Sequence, residues 1–267
     1  MKPSIASPRT KKDKVLSKIK VNKPMNEIAR RILLICGILS SAYYIAMNIF
    51  IPIKYPGYNI FSQTVSELSA IGAPTKQLWV SLMIVYTVLV IAFGWGVWLS
   101  VNRYNRLRVV AGLMMINVVI GLFWPPMHQR EVLAAGGGTL TDILHIVWTM
   151  ITVPIMLFAI GFASAGFRKG FRIYSRVTIV AMILFGVLTG MASPRMEVNL
   201  PTPWMGVWER ICIGAYILWV MVLAIVLLRE EKRKGSISIT TGTNDKLKKK
   251  LTVKGQPSKI KQTKQTV

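Results

Sequence analysis

The sequence predicts an all-α, polytopic membrane protein, a bundle of six transmembrane helices with both termini in the cytoplasm. Three observations predict it. The chain is 52% hydrophobic and 16% charged, yet 34 basic residues against 10 acidic ones leave it a net charge of +24. Those facts reconcile when the apolar residues span a bilayer and the basic ones lie outside it. Six segments approach the roughly 20 apolar residues that a spanning helix needs, and none has Asp, Glu, Lys or Arg in its central part. The alternation over about 10 residues that marks a membrane β-strand is not seen.

The first element, residues 1–31, is a basic tail of Lys, Pro and Ser with too little apolar surface to fold, and it is expected to be disordered. The first span, 32–53, has no small-residue cleavage site behind a short apolar core, so it reads as an uncleaved span rather than a signal peptide. Five further spans cover about 78–100, 109–127, 143–166, 177–192 and 211–228, and a second basic tail, 229–267, closes the chain. The two tails and the loops 101–108 and 167–176 carry 29 of the 34 basic residues, and the loops 54–77, 125–142 and 193–210 carry the other 5. The positive-inside rule therefore puts both tails in the cytoplasm of a cell (plasma or inner) membrane. Basic tails at that surface attract anionic lipid by about 1 kcal/mol per residue. No aromatic residues interleave with their lysines, so nucleic acid is not an expected partner.

Within the spans, Gly186 and Gly190 form a GxxxG, and Ala159/Ala163 with Gly161/Ala165 give small-xxx-small pairs that let helices of one bundle approach closely. Pro154 should kink the fourth span. Asn48, Asn117 and Thr152 are expected to bond across helices. Trp79, Trp124, Trp204 and Trp208 suit the outer aromatic belt and Trp98 the inner one. Cys36 and Cys212 differ in depth by roughly 20 Å, too far for a disulfide. The ends "GLFWPPMH" and "GMASPRME" repeat Gly, Pro and Met at one spacing 69 residues apart, which suggests that spans two and three are duplicated as four and five. The fifth span, 16 residues long, and the third are expected to stop short at the outer face and open a depression there.

Chemistry concentrates on that outer face. Glu67, Glu131, Asp142, Glu197 and Glu209, half the acids of the chain, lie there with both histidines, His128 and His145. Glu67 stands three residues after Thr64 in "TVSELSAIGAP", the spacing of a capping box on a short interfacial helix whose Val65, Leu68 and Ile71 would face the membrane. Asp142 and Glu209 open helices, where a negative charge is favoured. Arg210 can pair locally or snorkel to the interface. In "GTLTDILHIVW" Asp142 lies one turn from His145, so it can accept that ring's N–H and hold a buried histidine. The same residues carry the sharper readings. His145, Asp142 and Glu67 are candidate catalytic groups, and Glu67, His128, Glu209 and Arg210 are candidate substrate contacts. His128, Asp142 and His145 would supply three ligands for a catalytic zinc. Ser66 and Ser69 are candidate nucleophiles without a GxSxG or SxxK frame.

The stretches "YPGYNIFSQTVSELSAIGAPT", "GLFWPPMH", "TDILH" and "GVWER" together resemble the domain-of-unknown-function family 998, prokaryotic multi-pass integral membrane proteins. The likeness covers about residues 32–228, all six spans and neither tail. It implies the helical architecture and brings no activity with it. Three functions are then open: a protein that binds or moves a lipid or small molecule through an outward-facing polar site; a membrane-embedded, metal-assisted hydrolase of a lipid-type substrate; and a structural or accessory subunit whose polar cluster plugs the helix ends.

Overall fold

The computed structural model describes the backbone of residues 11–100 and 105–254, and the side chains of 27–100 and 106–230. It holds seven α-helices and no strand among the described residues. They are α1 (Lys11–Phe50), α2 (Lys76–Leu99), α3 (Asn105–Leu122), α4 (Arg130–Ala134), α5 (Leu140–Ser164), α6 (Lys169–Glu197) and α7 (Met205–Lys254), with 3-10 turns at Pro52–Lys54 and Ser66–Ser69. Two units are distinguished: residues 1–227, which hold the bundle, and 228–267, whose described part, 228–254, is the far end of α7.

Five stretches are long and apolar enough to cross a membrane: Glu27–Lys54, Lys76–Leu99, Leu140–Ser164, Lys169–Glu197 and Met205–Glu230. The third expected span is not among them. Helix α3 has 18 residues and begins with basic residues, and it ends at Leu122 rather than near Met127 because Pro125 and Pro126 have no N–H to continue it. The fifth expected span is long, not short. Helix α6 runs for 29 residues, passes through Pro194, and stops where Asn199 takes a left-handed φ of 53°. There Leu200 N–H donates to Arg195 O at 2.8 Å and Asn199 N–H to Met196 O at 3.0 Å, a Schellman closure. The sequence echo is therefore not a structural one, since Pro125 lies beyond its helix and Pro194 within one. Helix also reaches into the stretches read as tails, from Lys11 and on to Lys254; Lys, Arg and Glu form helix well, and a helix nucleated in an apolar span propagates readily. Tail residues 1–10 and 255–267 lie outside the described residues.

Helix α1 packs on α2, α2 on α3, α3 on α5 and α5 on α6. Helix α7 closes the ring: Ser41 Oγ donates to Ile217 O at 2.9 Å, and Trp219 Nε1 to Ser175 Oγ at 3.0 Å. The α1–α2 contact needs glycine, because a Cβ on Gly37 would lie 2.5 Å from the Phe93 ring. Gly186 faces Cys212, whereas Gly161 and Gly190 have open space around them, so only part of the small-residue pattern serves packing. Large apolar side chains such as Ile84, Val119, Met150 and Met191 are exposed on the outside of the ring, the arrangement lipid requires. Both cysteines are free. Trp79 is buried against Met47, Ile51, Val65 and Leu68 rather than placed in a belt, while Trp98 is exposed with Arg108 over its ring. Thr152 and Asn48 bond carbonyls of their own helices, and the Oδ1 atoms of Asn48 and Asn117 are buried without a partner.

Candidate functional site

One loop organises the polar end of the bundle. Residues 51–75 leave α1 and return to α2, and at Thr64 the backbone turns into the Ser66–Ser69 helix through the expected capping box. Thr64 N–H donates to Glu67 Oε1 at 2.8 Å, and Glu67 N–H to Thr64 Oγ1 at 3.3 Å. Val65 and Leu68 are buried beneath it. The amphipathic turn therefore faces protein rather than membrane, because the ends of α1 and α2 offer an apolar surface directly below.

Glu67, only 2% exposed, then meets a residue that sequence reasoning missed. Arg130 grips it with both arms of the guanidinium, Nε to Oε2 at 2.8 Å and Nη2 to Oε1 at 2.7 Å. The remaining donors reach Thr202 Oγ1 and the Ser62 carbonyl, each at 3.2 Å. Thr202 Oγ1 itself donates to Ser62 O at 2.9 Å. One buried cation thus joins the 51–75 loop, the 123–139 loop and the segment before α7. Burial pulls the Arg130 pKa down, but the bond to Glu67 and its charge outweigh this and leave it above the ordinary value. The signal that could have found it was available: Arg130 is the single basic residue of the loop 125–142.

Helix α7 clamps the same loop from the other side. Glu209 accepts the Val65 N–H and, at 3.2 Å, the Ser66 hydroxyl. Arg210 sends Nη1 to the carbonyls of Ile60 (3.0 Å), Gln63 (2.9 Å) and its own Gly206 (3.0 Å). Its Nη2 donates to Tyr58 OH at 2.6 Å, and that hydroxyl donates on to Thr64 O at 2.6 Å. Burial pushes the Tyr58 phenol well above its usual pKa, so it remains a neutral donor. Gly206 lets the loop come this close, since a Cβ there would collide with the Ile60 and Gln63 carbonyls.

The histidines part company. Asp142 caps α5, with Thr139 N–H on Oδ2 at 2.8 Å. It also accepts His128 twice, the backbone N–H on Oδ1 at 2.6 Å and Nδ1 on Oδ2 at 2.9 Å. The expected Asp142–His145 pair is not formed. His145 turns its Nδ1 to the Pro125 carbonyl at 2.8 Å, between the rings of Trp124 and Trp148. The carbonyl is free because the chain leaves α3 extended at the two prolines. Glu67, Glu209 and Arg210 therefore share one network, His128 and Asp142 form a second, and His145 stands apart. The three residues read as zinc ligands do not converge, and among the described residues no three His, Cys, Asp or Glu side chains gather as a metal would need. Ser69 is buried and donates to the Ser66 carbonyl, and Ser66 donates to Glu209, so neither hydroxyl meets a histidine.

The networks are stitched together. Gln129 Nε2 donates to Tyr55 OH at 2.6 Å and Ile71 N–H to Met127 O at 2.7 Å. Below them Ala70, Ala73, Met127, Ala192, Met196 and Met205 form an apolar floor. Chemically, the assembly offers two things. Asp142 fixes the His128 tautomer with Nδ1 protonated, so Nε2 is the ring's acceptor. The α7 clamp supplies a carboxylate and a guanidinium in neighbouring positions.

A family model described as "Protein of unknown function (DUF998)" matches residues 38–226. No curated protein and no solved structure matches the chain.

Proposed function

The chain belongs to the DUF998 family, and on that premise we propose that it is a cell-membrane protein whose outer face binds, or hands across, a lipid or small molecule. In this reading α3 is the sixth span beside the five longer ones, and the excess of basic residues on one side puts both termini in the cytoplasm. The observation that carries the proposal is the buried fork of Arg130 on Glu67, set beside Glu209 and Arg210 under one loop. A buried ion pair is poor value as a stabiliser, because desolvation offsets most of the attraction. Four charged groups at the mouth of an apolar bundle are better accounted for as a preorganised polar site.

The test is lipid and metabolite analysis of protein purified in mild detergent, wild type beside Arg130→Gln and Arg210→Gln. Enrichment of one species over the bulk membrane, lost in the variants, supports the reading; a profile equal to bulk membrane in the wild type refutes it. Topology is checked by thiol labelling in a Cys36→Ser, Cys212→Ser background: a cysteine at Asn59 should react from outside, and one at Lys169 only after permeabilisation.

A second reading rests on a separate observation, the pair Asp142–His128. A carboxylate on Nδ1 is the arrangement that readies a histidine to take a proton at Nε2, so a hydrolase of a lipid-type substrate would use His128 as base and Asp142 to position it. It predicts turnover that vanishes in His128→Gln while the fold persists. The lysine-rich tails, in both readings, hold the inner ends against anionic lipid.

A further inference from the structure

At the end of the bundle opposite the loop cap, the start of α3 meets the turn between α5 and α6. Arg106 makes the junction, its Nη1 donating to the Ala165 carbonyl at 2.9 Å. Phe167 and Phe171 hold the turn from within. Both are buried, their rings 4.9 Å apart, and the Phe171 ring lies 6.2 Å from that of the wholly buried Trp219. What the turn leaves outside is cationic. Arg168, Lys169, Arg172 and Arg176 are all exposed, and residues 165–176 include no Asp or Glu. Arg172 Nη2 reaches the Phe167 carbonyl at 3.5 Å, so its guanidinium and that of Arg106 border one turn, 165–167. The side chains of Lys169 and Arg176 take part in no hydrogen bond or ion pair among the described residues.

The fold gains nothing from this arrangement. Basic residues at the start of α6 oppose its dipole, with no acid in the first turn to offset them. Arg172 and Arg176, one turn apart, repel each other. A bound anion reverses both effects, and α6 itself says which anion. Lys169, Arg172 and Arg176 stand at i, i+3 and i+7, so they share a face, and the exposed Ile173, Val177 and Val180 continue beside them along the helix. Helix α6 is long and apolar enough to cross a membrane, and Arg176 lies roughly 10 Å inside its start at 1.5 Å per residue. An arginine at that depth, without a protein partner, turns its guanidinium back toward the phosphate level. A soluble anion would need the turn alone. A face that is cationic at the helix end and apolar below it matches a phospholipid, headgroup over the turn and acyl chains along α6. A zwitterionic phospholipid brings its own ammonium to the phosphate, so a surplus of cations selects one with net negative charge.

We infer that the turn between α5 and α6 is a discrete binding site for an anionic phospholipid, its phosphate held by Lys169, Arg172 and Arg176 beside Arg106 and its acyl chains laid on Ile173, Val177 and Val180. The site lies at the other end of the bundle from Glu67 and Arg130 and does not depend on the outer-face reading. It also differs from a general attraction between basic residues and anionic lipid, because it singles out one face. Arg108 is the internal control: it is exposed and cationic on the same helix as Arg106, but it lies over the Trp98 ring, 5.6 Å from its centre.

The test places the full chain in nanodiscs of phosphatidylglycerol and phosphatidylcholine in equal parts and reads, by native mass spectrometry, the lipid that stays on the protein. Phosphatidylglycerol is enriched on the wild type. Lys169→Gln, Arg172→Gln and Arg176→Gln each lower the enrichment about tenfold, the worth of one hydrogen bond to a charged group. The first and third of these substitutions break no bond within the protein, so they keep the test independent of folding. Arg108→Gln and Arg130→Gln leave the enrichment as it is in the wild type. Equal amounts of the two lipids on the wild type overturn the inference. So does an enrichment that survives all three α6 variants, which assigns the lipid elsewhere on the chain. A loss as large in Arg108→Gln as in Arg176→Gln overturns it in favour of diffuse charge, and a loss in Arg130→Gln alone overturns it by moving the lipid to the outer face.

Discussion

Replacing Arg130 by methionine keeps the length of the side chain and removes its fork. Glu67, almost wholly buried, then loses two charge-assisted bonds at 2.7 and 2.8 Å and keeps only Thr64 and Gln63 as donors. Breaking a buried pair by removing one partner costs about 3–5 kcal/mol, because the other charge is left uncompensated. The lost bonds to Thr202 and the Ser62 carbonyl add about 0.5–1.5 kcal/mol each, partly recovered by the surviving Thr202–Ser62 bond. A total of about 4–6 kcal/mol corresponds to a fall in Tm of about 8–24 °C on the calibration for domains of this size. Thermal unfolding of the detergent-purified protein, followed by size-exclusion recovery, measures it. The decisive comparison is the double variant Glu67→Leu, Arg130→Met. Removing both charges leaves no stranded carboxylate, so the double variant should be more stable than Arg130→Met alone, a coupling that a double-mutant cycle isolates. A single variant within about 1 °C of wild type, or a double variant whose losses simply add, would refute the argument that the fork neutralises a buried charge.

Three other outcomes are expected. Asp142→Asn should weaken the α5 cap and release His128, about 1–2 kcal/mol, seen as roughly 5- to 30-fold faster hydrogen exchange in 128–139 with α2 unchanged. Gly206→Ala should push the Ile60 and Gln63 carbonyls off Arg210, and limited proteolysis should then cut the 55–63 stretch that wild type protects. Gly37→Ala should cost about 1–3 kcal/mol in thermal stability by overpacking against Phe93, whereas Gly112→Ala, with open space around it, should cost nothing measurable.

The sequence exposes what is local or set by the solvent. Apolar length gave five of the expected spans as helices long enough to cross a membrane, and the i to i+3 spacing of Thr64 and Glu67 gave their capping box, because both depend on neighbours in the chain. The Asp142–His145 pair failed on the same kind of rule. Helix spacing brings two residues to one face, but the Asp142 carboxylate was already claimed by the Thr139 amide and by His128. Hydropathy extends the third span five residues too far, because it counts Phe123 to Met127 as apolar and is blind to the two missing N–H groups. Arg130 escapes a sequence reading for a different reason: its partner lies 63 residues away, and no local pattern announces such a meeting. The unpartnered Oδ1 of Asn48 was hidden likewise, since composition suggests a cross-helix bond and only the structure lacks one.

The clamp from α7 also fixes an order of events during synthesis. Val65 must wait for Glu209, made 144 residues later, an interval of roughly 7–30 s at the usual pace of translation. For the first part of that time the 51–75 loop has its capping box alone, and once residue 130 is made it has Arg130 but not yet the α7 latch. Helix α7 is therefore the last element to fasten the 51–75 loop. A chain that stalls between residues 130 and 209 is left with that loop tied by Arg130 on Glu67 but with the Val65 amide and the Ser66 hydroxyl lacking their Glu209 acceptor.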